Sequence, residues 1–430
     1  MFIVILILVM TIPKNVYASG QTTPSGIAYD DIGTEIDAYV EEYKAGLASV
    51  GTCVFDETGI IYEGYYGYSD MEAGILADEE TVYEWGSTSK LLVWVSVMQL
   101  KEQGKLDLET DIREYLPDGF LTKLQYEDET ITMLNLMNHD AGFQESMYEN
   151  QLATEDELYD SLEEAVKACE CYQAYHVGEH TAYSNWGTAL AAFIVERVSG
   201  MSYVDYVNEN IFKPLDMEHT SIGMHREDND WVRGQREMLK CYGRYAQEEY
   251  NEDYGVCHSW VQLYPAGAAI GTTSDLAKFA QGFVASDCPF FQNSDTREEM
   301  LTATSFYGDS DIAENCHGLW TEQFKIPTLG HGGNTGGCTA NLQFDPESGL
   351  GIVVLTNEPG ETMFSTGFVS LLFGDVRDSE LVRNNPIQEH YDISGTYVPR
   401  RTIVSGYGSA LQYSYGCFFA TKTDGPDVFD

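Results

Sequence analysis

Ser87 and Lys90 stand three residues apart in the segment Glu84-Trp85-Gly86-Ser87-Thr88-Ser89-Lys90, directly ahead of the apolar run Leu91-Leu92-Val93-Trp94-Val95. A serine hydroxyl is a weak nucleophile until a neighbouring base takes its proton. Residues three apart on a helix share a face, which brings Lys90 within reach of Ser87. Gly86 lets the backbone turn sharply into that helix. The helix N-terminus then offers free N–H groups and a positive dipole end where an oxyanion would form. Burial beside Leu91 to Trp94 disfavours a charged ammonium and readies Lys90 as a base. The bland counterpart is a helix-capping serine followed by a surface lysine, and Thr88 and Ser89 are competing hydroxyls. Partners elsewhere in the chain therefore decide the matter.

An acyl-transfer site of this kind needs a second proton carrier and a strand that holds the substrate backbone. Tyr183-Ser184-Asn185 supplies a Tyr-x-Asn just before the apolar run 189–195, and His331-Gly332-Gly333 precedes the strand-like segment 340–344. In the order Ser-x-x-Lys, Tyr-x-Asn, His-x-Gly, the chain resembles the serine β-lactamase and D-Ala-D-Ala peptidase (penicillin-binding protein-like) superfamily, in its class C-like branch. Further blocks carry the resemblance: Leu136-Met137-Asn138-His139-Asp140-Ala141-Gly142-Phe143, the run from Ile194 to Gly200, Pro214-Leu215-Asp216-Met217, and Ala266-Gly267 with Thr273-Ser274-Asp275-Leu276. Together they extend over residues 32–357.

The resemblance implies an α/β (α+β) fold, an antiparallel sheet flanked by helices with an all-helical insertion, and a site at their junction. It selects Ser87 as the nucleophile, with Lys90 and Tyr183 moving protons. A phenol with an ordinary pKa near ~10 is a poor base at neutral pH, so Tyr183 relies on Lys90 beside it. Asn185 is expected to bond a substrate amide and orient Lys90. His331 stands where many relatives carry lysine; a mostly neutral imidazole attracts a carboxylate less than a fixed charge does. Gly332 and Gly333 allow a substrate backbone to come close. By resemblance, the N–H groups of Ser87 and Asn334 form an oxyanion hole. His139 reads as a satisfied core histidine. The expected substrates are small molecules or peptides: a peptidoglycan-like peptide, a β-lactam or an ester. No metal or organic cofactor is expected.

Two rival readings remain. His176-Val177-Gly178-Glu179-His180 is an H-x-x-E-H, the inverted zinc-peptidase motif. Zinc would need both histidines on one face of a regular helix, and Gly178 weakens such a helix. The other rival is a non-catalytic penicillin-binding relative, against which the intact motifs argue.

Composition sets the bounds. With 430 residues and 43% hydrophobic content the chain is long and apolar enough for a large core. Against 69 acidic residues stand only 23 basic ones, a net charge of −46. That balance argues against nucleic-acid binding and predicts repulsion from anionic membranes. Residues 1–18 read as an export signal: an apolar run from Phe2 to Ile12, then Val16-Tyr17-Ala18 with small residues at the positions a signal peptidase reads. The expectation is a secreted or cell-surface protein without stable membrane insertion of the mature chain. An odd nine cysteines, none in C-x-x-C spacing, are expected to be mostly buried small apolar residues.

Periodicity predicts a helix over 32–48, a hairpin of 52–55 and 60–68, and a helix from Ser87 to about Gly104. It further predicts strands over 340–344 and 350–355 and a helix around 362–373. The hydrolase domain is expected over 25–375, with its helical insertion near 105–300 and a β-rich tail at 376–430.

Overall fold

Alternate residues of the strand Ser49–Asp56 face two different cores. Val50 and Val54 point into one, Cys53 and Phe55 into the other, as the two-residue period of a strand requires. Both faces are covered, so the strand is buried along its whole length rather than alternately. In the computed structural model, residues 21–45, 47–145, 154–243, 252–253, 259–308, 310–384, 395–397, 401 and 418–420 are described.

The strands are β1 (Ser49–Asp56), β2 (Gly59–Asp70), β3 (Ile75–Leu76), β4 (Val82–Glu84), β5 (Thr220–Ser221), β6 (Tyr242–Gly243), β7 (Glu252–Asp253) and β8 (Ile270–Thr272). They continue as β9 (Ser305–Phe306), β10 (Ala313–Cys316), β11 (Leu319–Gln323), β12 (Pro327–Asn334), β13 (Thr339–Phe344), β14 (Gly351–Thr356), β15 (Gly395–Tyr397) and β16 (Phe418–Ala420). Nine of them form one sheet in the order β3-β2-β1-β14-β13-β12-β11-β10-β9. Its pairings are antiparallel. The central β1–β14 pair joins the two ends of the sheet, with Cys53 opposite Val353.

Six helices matter for the site: α1 (Ile32–Tyr43), α2 (Lys90–Glu102), α3 (Met133–Met137), α4 (Asn185–Ser199), α5 (Thr273–Gln281) and α6 (Gly367–Phe373). α1 and α6 cover one face of the sheet through Ile32, Ile36, Phe368 and Leu372. α2, α4 and α5 belong to the larger core on the other face. Every residue of α2 from Lys90 to Leu100 is buried, which marks it as an interior helix rather than an amphipathic surface one. The strands of the large sheet thus come from both ends of the chain, with α1 and α6 on one face and α2, α4 and α5 on the other, an antiparallel sheet flanked by helices as expected.

The details depart in places. α1 stops at Tyr43 although Leu47 is still in the core. α6 begins only at Gly367 because the Glu361 carboxylate accepts from Phe364 N (2.8 Å) and Ser365 N (2.9 Å), holding the preceding residues in turns. The anticipated export signal lies outside the described residues. Among the described residues, no helix is long and apolar enough to cross a membrane. Six of the seven described cysteines are buried, as expected.

Candidate active site

Ser87 does not sit in the first turn of the α-helix. Residues Gly86–Ser89 form a 3-10 turn, and α2 starts at Lys90. Gly86 has φ +52°, a left-handed conformation that glycine adopts at little cost. The two competing hydroxyls are spent on this turn. Thr88 Oγ1 donates to His331 O at 3.2 Å, while Ser89 Oγ donates to Gly86 O at 2.6 Å and accepts from Ala269 N at 3.0 Å. Thr88, Ser89 and Lys90 are buried, and Ser87 alone of the four keeps surface.

The strand side is built by close backbone contact. A Cβ on Gly333 would lie 2.0 Å from Trp85 O and 3.0 Å from Ser87 N. One on Gly86 would lie 2.6 Å from Asn334 N. Glycine at both positions lets β12 press against the Ser87 turn and brings the Ser87 and Asn334 main chains together. The Asn334 side chain is turned away, accepting from Thr339 Oγ1 (2.9 Å) and Gly360 N (3.1 Å). Gly332 stands opposite Asn341 on β13.

Lys90 is fully buried. Its Nζ lies 3.1 Å from Ser87 Oγ, 2.5 Å from Ala266 O and 4.9 Å from the Tyr183 ring centroid. Burial pushes its pKa well down, Arg401 adds to this, and the Glu145 carboxylate opposes it. Tyr183 is half-buried, but its hydroxyl is enclosed and, among the described residues, has no hydrogen-bond partner of ordinary geometry. Burial raises its pKa; nearby Ser87 and Arg401 only moderate the rise. Lys90 is therefore held toward the neutral amine and Tyr183 toward the neutral phenol.

His331 is buried at the edge of the same space, its ring 6.1 Å from that of Tyr183. Burial, and secondarily Lys90, drive its pKa down to about 3. Nδ1 lies 2.6 Å from Gly332 O, and Nε2 has no partner among the described residues. With Nδ1 donating to that carbonyl, Nε2 presents a lone pair that accepts a proton donor and does not attract a carboxylate.

His139 packs against Tyr183 and Trp320, at ring distances of 4.4 and 5.7 Å. Its Nδ1 accepts from Ser184 N at 3.2 Å, and its backbone carbonyl accepts from Ala182 N at 2.7 Å. It fixes the stretch that carries Tyr183. It is a core residue, as expected, but among the described residues not a satisfied one: Nε2 is buried with no partner there. Ser184 then caps α4 by accepting from Gly187 N at 3.0 Å.

Asn185 differs from expectation. Its amide does not orient Lys90; its backbone N (3.2 Å) and Nδ2 (3.3 Å) both donate to Glu145 Oε2. Glu145 is buried, and the same oxygen accepts from Arg401 Nε at 3.2 Å, with Arg401 Nη2 at 3.1 Å. The Arg401 guanidinium lies 4.7 Å over the Tyr183 ring. Neither Glu145 nor Arg401 was legible as a site residue. Glu145 follows the 136–143 block by two positions, the one available hint; Arg401 has no local signal.

The H-x-x-E-H segment is elsewhere and is a turn, not a helix. Gly178 has φ +74°. His176 stacks on Tyr126 and places Nδ1 2.6 Å from Glu129 Oε1, whereas His180 packs edge-on against Tyr175. The two rings do not share a helix face.

A model of the beta-lactamase family matches residues 36–367. Protein flp of Staphylococcus aureus (strain MRSA252) is 22% identical over 331 residues, covering 76% of this chain and 63% of that protein. The strain N315 protein of the same name is 26% identical over 195 residues, 45% of this chain and 39% of it. The chain thus spans less than two thirds of these curated relatives. Among solved structures, the octameric penicillin-binding protein homologue from Pyrococcus abyssi aligns with a TM-score of 0.62 at 20% identity, covering 93% of this chain and 89% of that one. The D-amino acid amidase from Ochrobactrum anthropi SV3 aligns at 0.63 and 21%, covering 83% and 99%. These likenesses establish a shared fold.

Proposed function

This chain belongs to the beta-lactamase family of serine hydrolases, and we propose that it cleaves an amide or ester through an acyl-enzyme on Ser87. The observation that carries the reading is the 3.1 Å approach of a fully buried Lys90 Nζ to the one partly exposed hydroxyl of its turn. A lysine held toward the neutral amine can accept a proton that an ordinary ammonium cannot.

Ser87 Oγ attacks the substrate carbonyl carbon and its proton passes to Lys90 Nζ. The carbonyl oxygen becomes an oxyanion between the N–H groups of Ser87 and Asn334. Tyr183, a neutral phenol, then gives its proton to the departing amine or alkoxide and is refilled from Lys90. The C–N or C–O bond breaks, leaving the acyl group on Ser87. Water attacks that ester, its proton returns through the same pair, and the acid and free Ser87 are released. Gly332, on which a Cβ would meet nothing closer than 3.9 Å, leaves room for the substrate backbone, Gly333 lets β12 seat against the Ser87 turn, and Asn185 and His331 Nε2 supply hydrogen bonds to the substrate.

The substrate class is a small molecule or peptide with an amide or ester bond; a D,D-peptide, a β-lactam and a simple ester all fit this chemistry. Export to the cell surface or beyond is part of the proposal and rests on the apolar run Phe2 to Ile12 with Val16-Tyr17-Ala18. The test is hydrolysis of a chromogenic ester by wild type and Ser87→Ala. The reading expects turnover to vanish in the variant. Turnover retained within tenfold rejects Ser87 as the nucleophile.

A further inference from the structure

The strand side of the cleft presents a neutral histidine where many relatives have a cation, yet the site has a guanidinium. Among the described residues, Lys90 and Arg401 are the two cations that lie over the Tyr183 ring. Lys90 is buried, whereas the Arg401 side chain is 39% exposed and its partner Glu145 only 1%. The buried end of this ion pair is therefore the carboxylate, and the end that meets solvent is the guanidinium. Glu145 Oε2 ties Arg401 to the Asn185 amide and backbone, so the cation is fixed relative to α4 rather than free to swing. Arg401 lies beyond residue 367, where the family match ends.

We propose that Arg401 is a specificity residue, a tail-borne guanidinium that selects substrates carrying a carboxylate near the scissile bond. It takes over a task that a neutral His331 does not perform. A guanidinium has five donors in a planar fork suited to a carboxylate. Charge-assisted bonds of this sort discriminate between an acid and its ester. Glu145 is then a positioning residue that holds the guanidinium over Tyr183. The inference rests on the acyl-transfer reading above.

The experiment measures kcat/KM for two matched pairs of chromogenic or fluorogenic esters. One pair carries a carboxylate or its methyl ester on the acyl part, the other on the leaving group. The net charge of −46 repels anions in every variant, so the acid-to-ester ratio is the quantity read. Wild type is expected to favour the acid in at least one pair, Arg401→Gln to lower that ratio about tenfold, and Arg401→Lys to keep part of it. An unchanged ratio in Arg401→Gln overturns the proposal. So does an equal gain for acids and esters, which would make Arg401 a plug rather than a reader of charge. Failure of the acyl-transfer reading looks different: Ser87→Ala would then turn over the neutral esters as well as wild type does. Arg401→Gln replaces a half-exposed side chain, and an unchanged melting temperature confirms that the ratio reports on binding.

Discussion

The Ser87 turn and the His176 turn both gather residues capable of catalysis into a few positions, and they are built in opposite ways. Around Ser87 each group is held from far away in the chain: Lys90 by Ala266, Thr88 by His331, Gly86 by Asn334, Ser89 by Ala269. Around His176 the contact is a surface pairing of an exposed imidazole with a half-buried Glu129, and Gly178 breaks the local helix. One cluster lies where burial shifts pKa values; the other lies in a turn that leaves His176 largely exposed. Residue types at the right spacing offer chemistry, but desolvation and long-range anchoring make it usable.

The largest break in this contrast comes from Lys90→Met. Loss of the proton acceptor is expected to lower kcat/KM by about 10² to 10⁴, measured by initial rates on a neutral ester. Activity within threefold of wild type would place the base elsewhere. The same substitution sharpens the electrostatic side. The folded pKa of Lys90 lies well below the ordinary 10.5. Below 10.5 the unfolded chain therefore binds a proton that the folded chain rejects, and wild type gains stability as pH rises toward that value. Chemical denaturation from pH 7 to 10 should show stability shifting in favour of wild type relative to Lys90→Met. A constant gap would mean that Lys90 is protonated in the folded protein.

A smaller effect is expected from Gly333→Ala. Its new methyl would meet Trp85 O at 2.0 Å, so β12 or the Ser87 turn has to move. Overpacking of this kind costs about 1–3 kcal/mol, and misplacement of reacting groups by ~1 Å costs up to about 10² in rate. Melting curves and kcat/KM together check this; a variant as stable and active as wild type would show that the close approach is not needed. The smallest effect, within about threefold or under ~1 kcal/mol of barrier, is expected for His180→Ala, on the other side of the comparison. A thousandfold loss there would restore the rival site.

Much of this contrast was legible in the sequence because it is local. Ser87 and Lys90 are three apart, and the turn at Asp56 to Gly59 falls between β1 (Ser49–Asp56) and β2 (Gly59–Asp70). Strands expected over 340–344 and 350–355 appear as Thr339–Phe344 and Gly351–Thr356. Gly178, inside the motif itself, weakened the zinc reading. What stayed hidden depends on tertiary position. The Ser87 turn is 3-10 rather than α-helical, with Ser89 Oγ closing on Gly86 O, and no periodicity reveals that. Glu145 meets Asn185 across 40 residues, and Arg401 meets Glu145 across 256; neither separation carries a spacing rule. The pKa of His331, down to about 3, comes from its burial beside Lys90, which composition does not disclose.

Identifying the acylated atom bears on all of this at once. Intact protein is incubated with a fluorescent penicillin and, separately, with a fluorophosphonate, then weighed and digested for peptide mapping. The account predicts one adduct per chain from at least one reagent, located on Ser87, and none in Ser87→Ala. A stoichiometric adduct on another residue, or full labelling that survives in Ser87→Ala, would contradict it.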